Sequence, residues 1–210
     1  MSELIKDCHL TEIRRRLEKW RAVRNLSTQS QQAGYVGNLL EELTEYARAQ
    51  NNEERIDALC DIIVFSLNTL HKTQGFAVCE TKKKSLIQPA RLARACLDGV
   101  DNAGVLNLRH AENVINIAFN AVSQLGYDVF QCLDETLKEI ESRTGKYDKS
   151  IGKFIKDRGA YSLEDFRQRY PEFELCEVLE NVKDFLVAQT ESVFPKWYKA
   201  NYERCKNGKS

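Results

Sequence analysis

The sequence predicts an all-α protein, and three observations carry that prediction. Only three prolines and ten glycines interrupt the 210 residues, so long stretches run unbroken. Across most of them apolar residues recur every three or four positions instead of alternating. Segments with strand character are scarce. Packed helices bury such faces best, and a helical bundle is the expected architecture.

A first helix is expected from about Thr11 to Asn25, with Thr11 as its N-cap. "LSTQSQQAG" is a polar connector that turns helical near its end. A second helix runs from about Tyr35 to Gln50, "NNEE" punctuates, and a third runs from about Glu54 to Thr73. "FAVCETKKKS" after Gly75 is the one segment with strand or loop character. A helix from about Gln88 to Leu97 is broken by "DGVDNAG". "NLRHAENVINIAFNAVSQLG" and "DVFQCLDETLKEIESRTG" are two more helices, the second stopped at Gly145. The remainder holds one further helix and an aromatic ending.

Composition excludes several classes. Formal net charge is zero, which gives no overall pull towards nucleic acid or an acidic membrane. The seven cysteines are scattered, without a CxxC pair, and fit neither a zinc site nor a disulfide framework. Buried thiols in a reduced, cytoplasmic compartment are expected. "MSELIKDCHLTEIRRRLEKW" carries charge throughout and lacks the apolar core of a signal peptide. No stretch reaches the roughly eighteen apolar residues needed to cross a bilayer.

The third helix poses the chemical question. Ile56, Leu59, Ile62, Ile63, Phe65, Leu67 and Leu70 surround it, so it is buried on most sides. Yet at about 100° per residue, Asp57, Asp61 and Asn68 fall on one narrow stripe. On the second helix Val36, Leu39, Leu40, Leu43 and Ala47 form an apolar face, with Glu42 nearest its boundary and Glu41 and Glu45 beyond. Carboxylates from both helices can converge on one point.

An ionised carboxylate in an apolar setting is costly unless paired or metal-bound. Arg48 and Arg55 are available for a structural ion-pair network, and charged helix faces are commonly just solvated. The other reading is a divalent-cation site of oxygen ligands, which suits Mg²⁺, or Mn²⁺, over zinc. A di-iron bundle requires Glu-x-x-His pairs, and His9, His71 and His110 follow Lys6, Asn68 and Asn107 instead.

A basic segment matches the acidic one. From Lys138 to Arg158 there are seven Lys or Arg against four acids, whereas Val36 to Ile62 holds seven acids against two bases. That separation suits a polyphosphate bridged by cations, although a basic loop alone is usually a solvated surface. "GKYDKSIGKF" is not a P-loop, since its glycine spacing is wrong and no Ser or Thr follows Lys153. No nucleophile signature is present, which favours a metal-activated water.

"LLEELTEYARA" followed by "RIDALCDIIVFSLNTL" resembles the all-α nucleoside triphosphate pyrophosphohydrolase superfamily, the MazG-like and phosphoribosyl-ATP pyrophosphohydrolase-like proteins. Its signature is Glu-x-x-Glu on one helix and Glu-x-x-Asp on the next. Glu42 and Glu45 match the first pair, Glu41 completes the double glutamate, and Asp61 takes the final position. Ala58 stands where the second pair has Glu; Asp57, one turn before Asp61, is preferred as its substitute, with Glu54 in reserve. "LDETLKEIESRTGKYDKSIGKFIKD" and "WYKANYERCK" are similar to the endings of phage-encoded members, whose basic loop closes over the phosphates.

The resemblance implies a MazG-like helical core over residues 1–158, an inserted segment at 75–109 and a C-terminal extension at 159–210. It implies Mg²⁺-dependent hydrolysis of a nucleoside triphosphate between the α- and β-phosphates. A deoxynucleotide is favoured, such as dUTP or, as in the MazZ branch, dGTP or dATP. Glu42, Glu45, Asp57 and Asp61 become metal ligands, and Glu41 or Glu42 catalytic carboxylates. Arg143, Lys146, Lys153 and Lys156 become phosphate ligands, with Lys199 a weaker one, while Asn38 and Asn68 are candidates for substrate contact. A homodimer or homotetramer is implied, in the host cytoplasm if the gene is a phage's, with neither nucleic acid nor membrane as partner. The competing class is a catalytically silent helical interaction module, which the Ala58 departure favours.

Overall fold

The computed structural model describes residues 3–70, 87–98, 108–143, 145–148, 150, 153–156 and 198–208. Those residues hold six helices: α1 (Glu3–Val23), α2 (Thr28–Arg48), α3 (Asn52–Thr69), α4 (Pro89–Leu97), α5 (Leu108–Gln124) and α6 (Val129–Ser142). A short antiparallel hairpin follows, β1 (Gly145–Asp148) with β2 (Lys153–Lys156), and a single 3-10 turn spans Tyr202–Cys205. The all-α expectation therefore holds, with one hairpin that sequence periodicity did not indicate. None of the described helices is long and apolar enough to cross a membrane.

Helix boundaries differ from expectation where polar residues were read as connectors. Helix α1 begins at Glu3, so Thr11 lies inside it and is not a cap. Helix α2 begins at Thr28, because Ser27 caps it: the Ser27 hydroxyl accepts from the Ser30 N–H at 3.0 Å. "TQSQQAG" is thus helix. At the start of α3, Asn51 caps the Glu54 N–H at 2.8 Å. Glu54 reaches back to the Gln50 N–H at 2.6 Å, one residue before the cap, so the two side chains tie the entry of α3 in both directions. Leu70, with extended backbone, is the C-cap of α3, whose last residue is Thr69, four before the expected Thr73.

The chain divides into two compact units, Met1–Leu137 with Ala200–Ser210, and Lys138–Lys199. The first is organised around α3, which packs against α1, α2 and α5, while α4 lies against α2 and α5. Ile56, Leu59, Ile62 and Ile63 are wholly buried, as the all-round apolar pattern requires. Tyr35 of α2 reaches Ser66 of α3 across this core at 2.9 Å. Arg16 of α1 is joined to Asp134 of α6 at 2.5 Å, and Phe119 and Phe130 meet edge to face between α5 and α6. Gly126 in the α5–α6 turn has φ +87 with open space around its Cβ position, so backbone conformation selects glycine there.

The free thiols Cys60, Cys96, Cys132 and Cys205 are buried, as expected for most of the cysteines. The expected insertion is described only at residues 87–98 and 108–109, where Leu92 and Cys96 anchor α4 in the core. Residues 71–86, 99–107 and 157–197 lie outside the described residues, and so do "FAVCETKKKS" and most of the expected C-terminal extension.

Candidate functional site

Helix α2 buries Tyr35, Leu39, Glu42, Leu43 and Tyr46 along one stripe. Four of these are apolar or aromatic, and Glu42 is the exception. Its side chain is only 7% exposed, and its Oε2 has no hydrogen-bond partner. Burial, and then the charges of Asp61, Glu45, Glu41 and Asp57, push its carboxyl up to about 9. Four acids from the two facing helices thus act on the Glu42 carboxyl. Glu41 and Glu45 are exposed beside the buried stripe.

On α3 the residues around Asp57 and Asp61 are buried, while those two and Phe65 are half-buried. Ala58 is fully buried, which places it in the core and off the carboxylate stripe. A glutamate there would be directed among apolar side chains. Glu54 is committed to the cap of α3. Arg55, a candidate ion-pair partner, is drawn to Asn52 Oδ1 at 2.9 Å and to the Ala49 carbonyl at 3.5 Å.

Asp57 Oδ1 accepts a hydrogen bond from the Tyr202 hydroxyl at 2.7 Å. The same hydroxyl lies 3.0 Å from Thr136 Oγ1 of α6. Burial, with the nearby Cys60 and Asp57, pushes the Tyr202 phenol upward, so it keeps its proton and acts as the donor to the carboxylate. The aromatic tail "WYKANYERCK" stands out in the sequence, but no local pattern in it gives Tyr202 a role. Nothing in the spacing from Asp57 to Tyr202 announces this contact.

Asn68, Arg143 and Lys199 have partners of their own. Asn68 lies at the far end of the α3 stripe, is 1% exposed, and accepts from the buried Arg21 guanidinium of α1. Asn38 is half-buried on α2, one turn before Glu41 and Glu42. In the second unit, Arg143 donates to Glu139 Oε1 at 2.8 Å, and Lys199 lies 3.6 Å from Glu139 Oε2. Both cations are thus held by one buried carboxylate. Lys146 pairs with Ile155, Lys153 with Asp148 and Lys156 with Gly145 in the hairpin ladder.

The donor set fits a hard divalent cation in its chemistry: carboxylate oxygens with no imidazole or thiolate, one of them buried and orphaned. As they stand, no three such groups among the described residues are gathered closely enough to hold an ion. A bound cation would offset the burial and the neighbouring negative charges that push the Glu42 carboxyl up. No family model, no curated protein and no solved structure matches this chain.

Proposed function

We propose that the chain is a Mg²⁺-dependent hydrolase that converts a deoxynucleoside triphosphate to its monophosphate and pyrophosphate. The observation that carries this reading is Glu42, a buried carboxyl with an orphaned oxygen on which four further carboxylates act. Such an arrangement is costly in the metal-free protein and is relieved by a cation. The match of Glu42, Glu45 and Asp61 to the paired motif of the MazG-like pyrophosphohydrolases adds the reaction class.

In this reading Glu42, Glu45, Asp57 and Asp61 hold the metal, with Mn²⁺ as a substitute. When bound, the cation supplies charge neutralisation at the phosphates and a more acidic water. Glu41, exposed beside the cluster, accepts the proton of the water that attacks the α-phosphorus in line. The same resemblance makes Arg143, Lys146, Lys153 and Lys156 the candidate phosphate ligands. A homodimer or homotetramer is the proposed assembly.

Two observations favour a second reading. The carboxylates are not gathered into an ion-sized cluster, and Ala58 is buried where the related motif has glutamate. A silent helical interaction module has those properties. Product analysis separates the two: the protein with Mg²⁺ is given each common dNTP and NTP, and nucleotides and pyrophosphate are resolved. Monophosphate with pyrophosphate, absent in Asp61→Asn, supports the hydrolase. No turnover of any nucleotide with Mg²⁺ or Mn²⁺ moves the assignment to the interaction module.

A further inference from the structure

The last described segment of the chain returns to the helix that carries the aspartates. The 3-10 turn Tyr202–Cys205 packs on α3 and is tied down on both sides. Before it, the Asn201 N–H donates to the buried Glu135 Oε2 at 2.9 Å. After it, the Asp128 N–H donates to the Cys205 carbonyl at 2.8 Å and the Asn207 N–H to the Gly126 carbonyl at 2.9 Å. Lys206 closes the turn on Glu53 of α3 at 2.9 Å. These ties hold Tyr202 at 5% exposure, with its hydroxyl on Asp57.

The protons of this chain can be counted. Tyr202 has one, with Asp57 Oδ1 at 2.7 Å and Thr136 Oγ1 at 3.0 Å as possible acceptors. The carboxylate takes it, because a hydrogen bond to an ionised acceptor is the stronger. Thr136 has one proton too, and its acceptors are the Cys132 carbonyl at 3.0 Å and the Tyr202 oxygen. Thr136 can give its proton to the Cys132 carbonyl, and the direction that is fixed runs from Tyr202 to Asp57. A buried phenol that needed only satisfaction could use a neutral partner. This one is bonded instead to a half-buried acid of the candidate site.

We propose that Tyr202 is a positioning residue for the metal-binding carboxylate of Asp57, holding one of its oxygens so that the side chain keeps one rotamer. The inference rests on the reading of Asp57 as a metal ligand. Partners of this kind orient ligands and tune their affinity, and their loss typically weakens binding by about 10–100-fold. The C-terminal turn is, in this account, part of the site.

The test is Mn²⁺ binding to the full chain without nucleotide, read as the loss of the free-ion paramagnetic resonance signal. Wild type, Tyr202→Phe, Asp57→Asn and the double variant are compared, together with metal-free melting temperatures. Tyr202→Phe is expected to raise the Kd about tenfold or more, and to add nothing in the Asp57→Asn background. A Kd within about twofold of wild type for Tyr202→Phe overturns the inference while leaving the metal site intact. Wild type without Mn²⁺ binding, or Asp57→Asn binding as wild type does, overturns the ligand reading of Asp57 and this inference with it. If Tyr202→Phe does not fold, 3,5-difluorotyrosine at position 202 takes its place, since it keeps the hydroxyl and strengthens it as a donor to Asp57: a shifted Kd supports the inference and an unchanged one overturns it.

Discussion

Glu42 of α2 and Asp61 of α3 face each other across two packed helices, and after burial it is the Asp61 charge that most opposes ionisation of Glu42. The pair links the fold to the chemistry. Helix α3 is buried nearly all round, so its two aspartates are held on a rigid element beside a carboxyl that water barely reaches.

That relationship makes metal-free stability fall with pH. The Glu42 carboxyl titrates near 4.5 when unfolded and at about 9 when folded. Its contribution is fully present below 4.5 and is lost as pH rises towards 9, because the unfolded chain releases a proton that the folded chain retains. With a chelator present, wild type should lose melting temperature between about pH 5 and pH 8 more steeply than Glu42→Gln. Parallel curves would contradict the assignment.

Mg²⁺ should reverse the penalty. A ligand at a hundred times its Kd stabilises the folded state by about 2.7 kcal/mol, which is a shift of several degrees for a domain of this size. Asp61→Asn should melt at or above the wild-type temperature without metal and shift little when Mg²⁺ is added. Thermal melts of both proteins across a Mg²⁺ series check this.

The C-terminal turn should loosen in acid. Hydrogen bonds from Lys206 and Tyr127 pull the Glu53 carboxyl down to about 2. A lowered value means stability that is present above 4.5 and lost as pH falls towards 2. Glu53 and Lys206 are each about a third exposed, so solvent screening keeps the effect small. Glu53→Gln should raise amide exchange at Asp128 and Asn207 at neutral pH, while wild type reaches the same exchange only in acid.

Core packing and thiol chemistry give two further checks. Leu59 is wholly buried on α3, and Leu59→Ala should cost about 2–5 kcal/mol in denaturant unfolding. Burial pushes the thiol of Cys96 up to about 12, and that of Cys205 is likewise held at about 12. Alkylation mapped by mass spectrometry should leave Cys60, Cys96, Cys132 and Cys205 unmodified until the protein is unfolded.

Periodicity made the helical class legible, and it put Glu42 on the buried edge of α2 and Asp57 and Asp61 on one stripe of α3, because both follow from about 3.6 residues per turn. Helix starts were not legible where Ser27 and Asn51 decide them, since a capping side chain is read only against the backbone it caps. Asn68 lies on the stripe by angle, but α1 covers that end of α3 and supplies Arg21, a packing fact that no local pattern contains. Tyr202 is 145 residues from Asp57, and a contact at that separation exists only once the chain has folded back.

The most direct measurement is hydrolysis of a dNTP panel in ¹⁸O-labelled water with Mg²⁺, following the label by mass spectrometry in wild type and Asp61→Asn. The account predicts label in the nucleoside monophosphate and none in the pyrophosphate, with product formation lost in the variant. Release of inorganic phosphate with label on the terminal phosphate, or no turnover of any nucleotide, would contradict it.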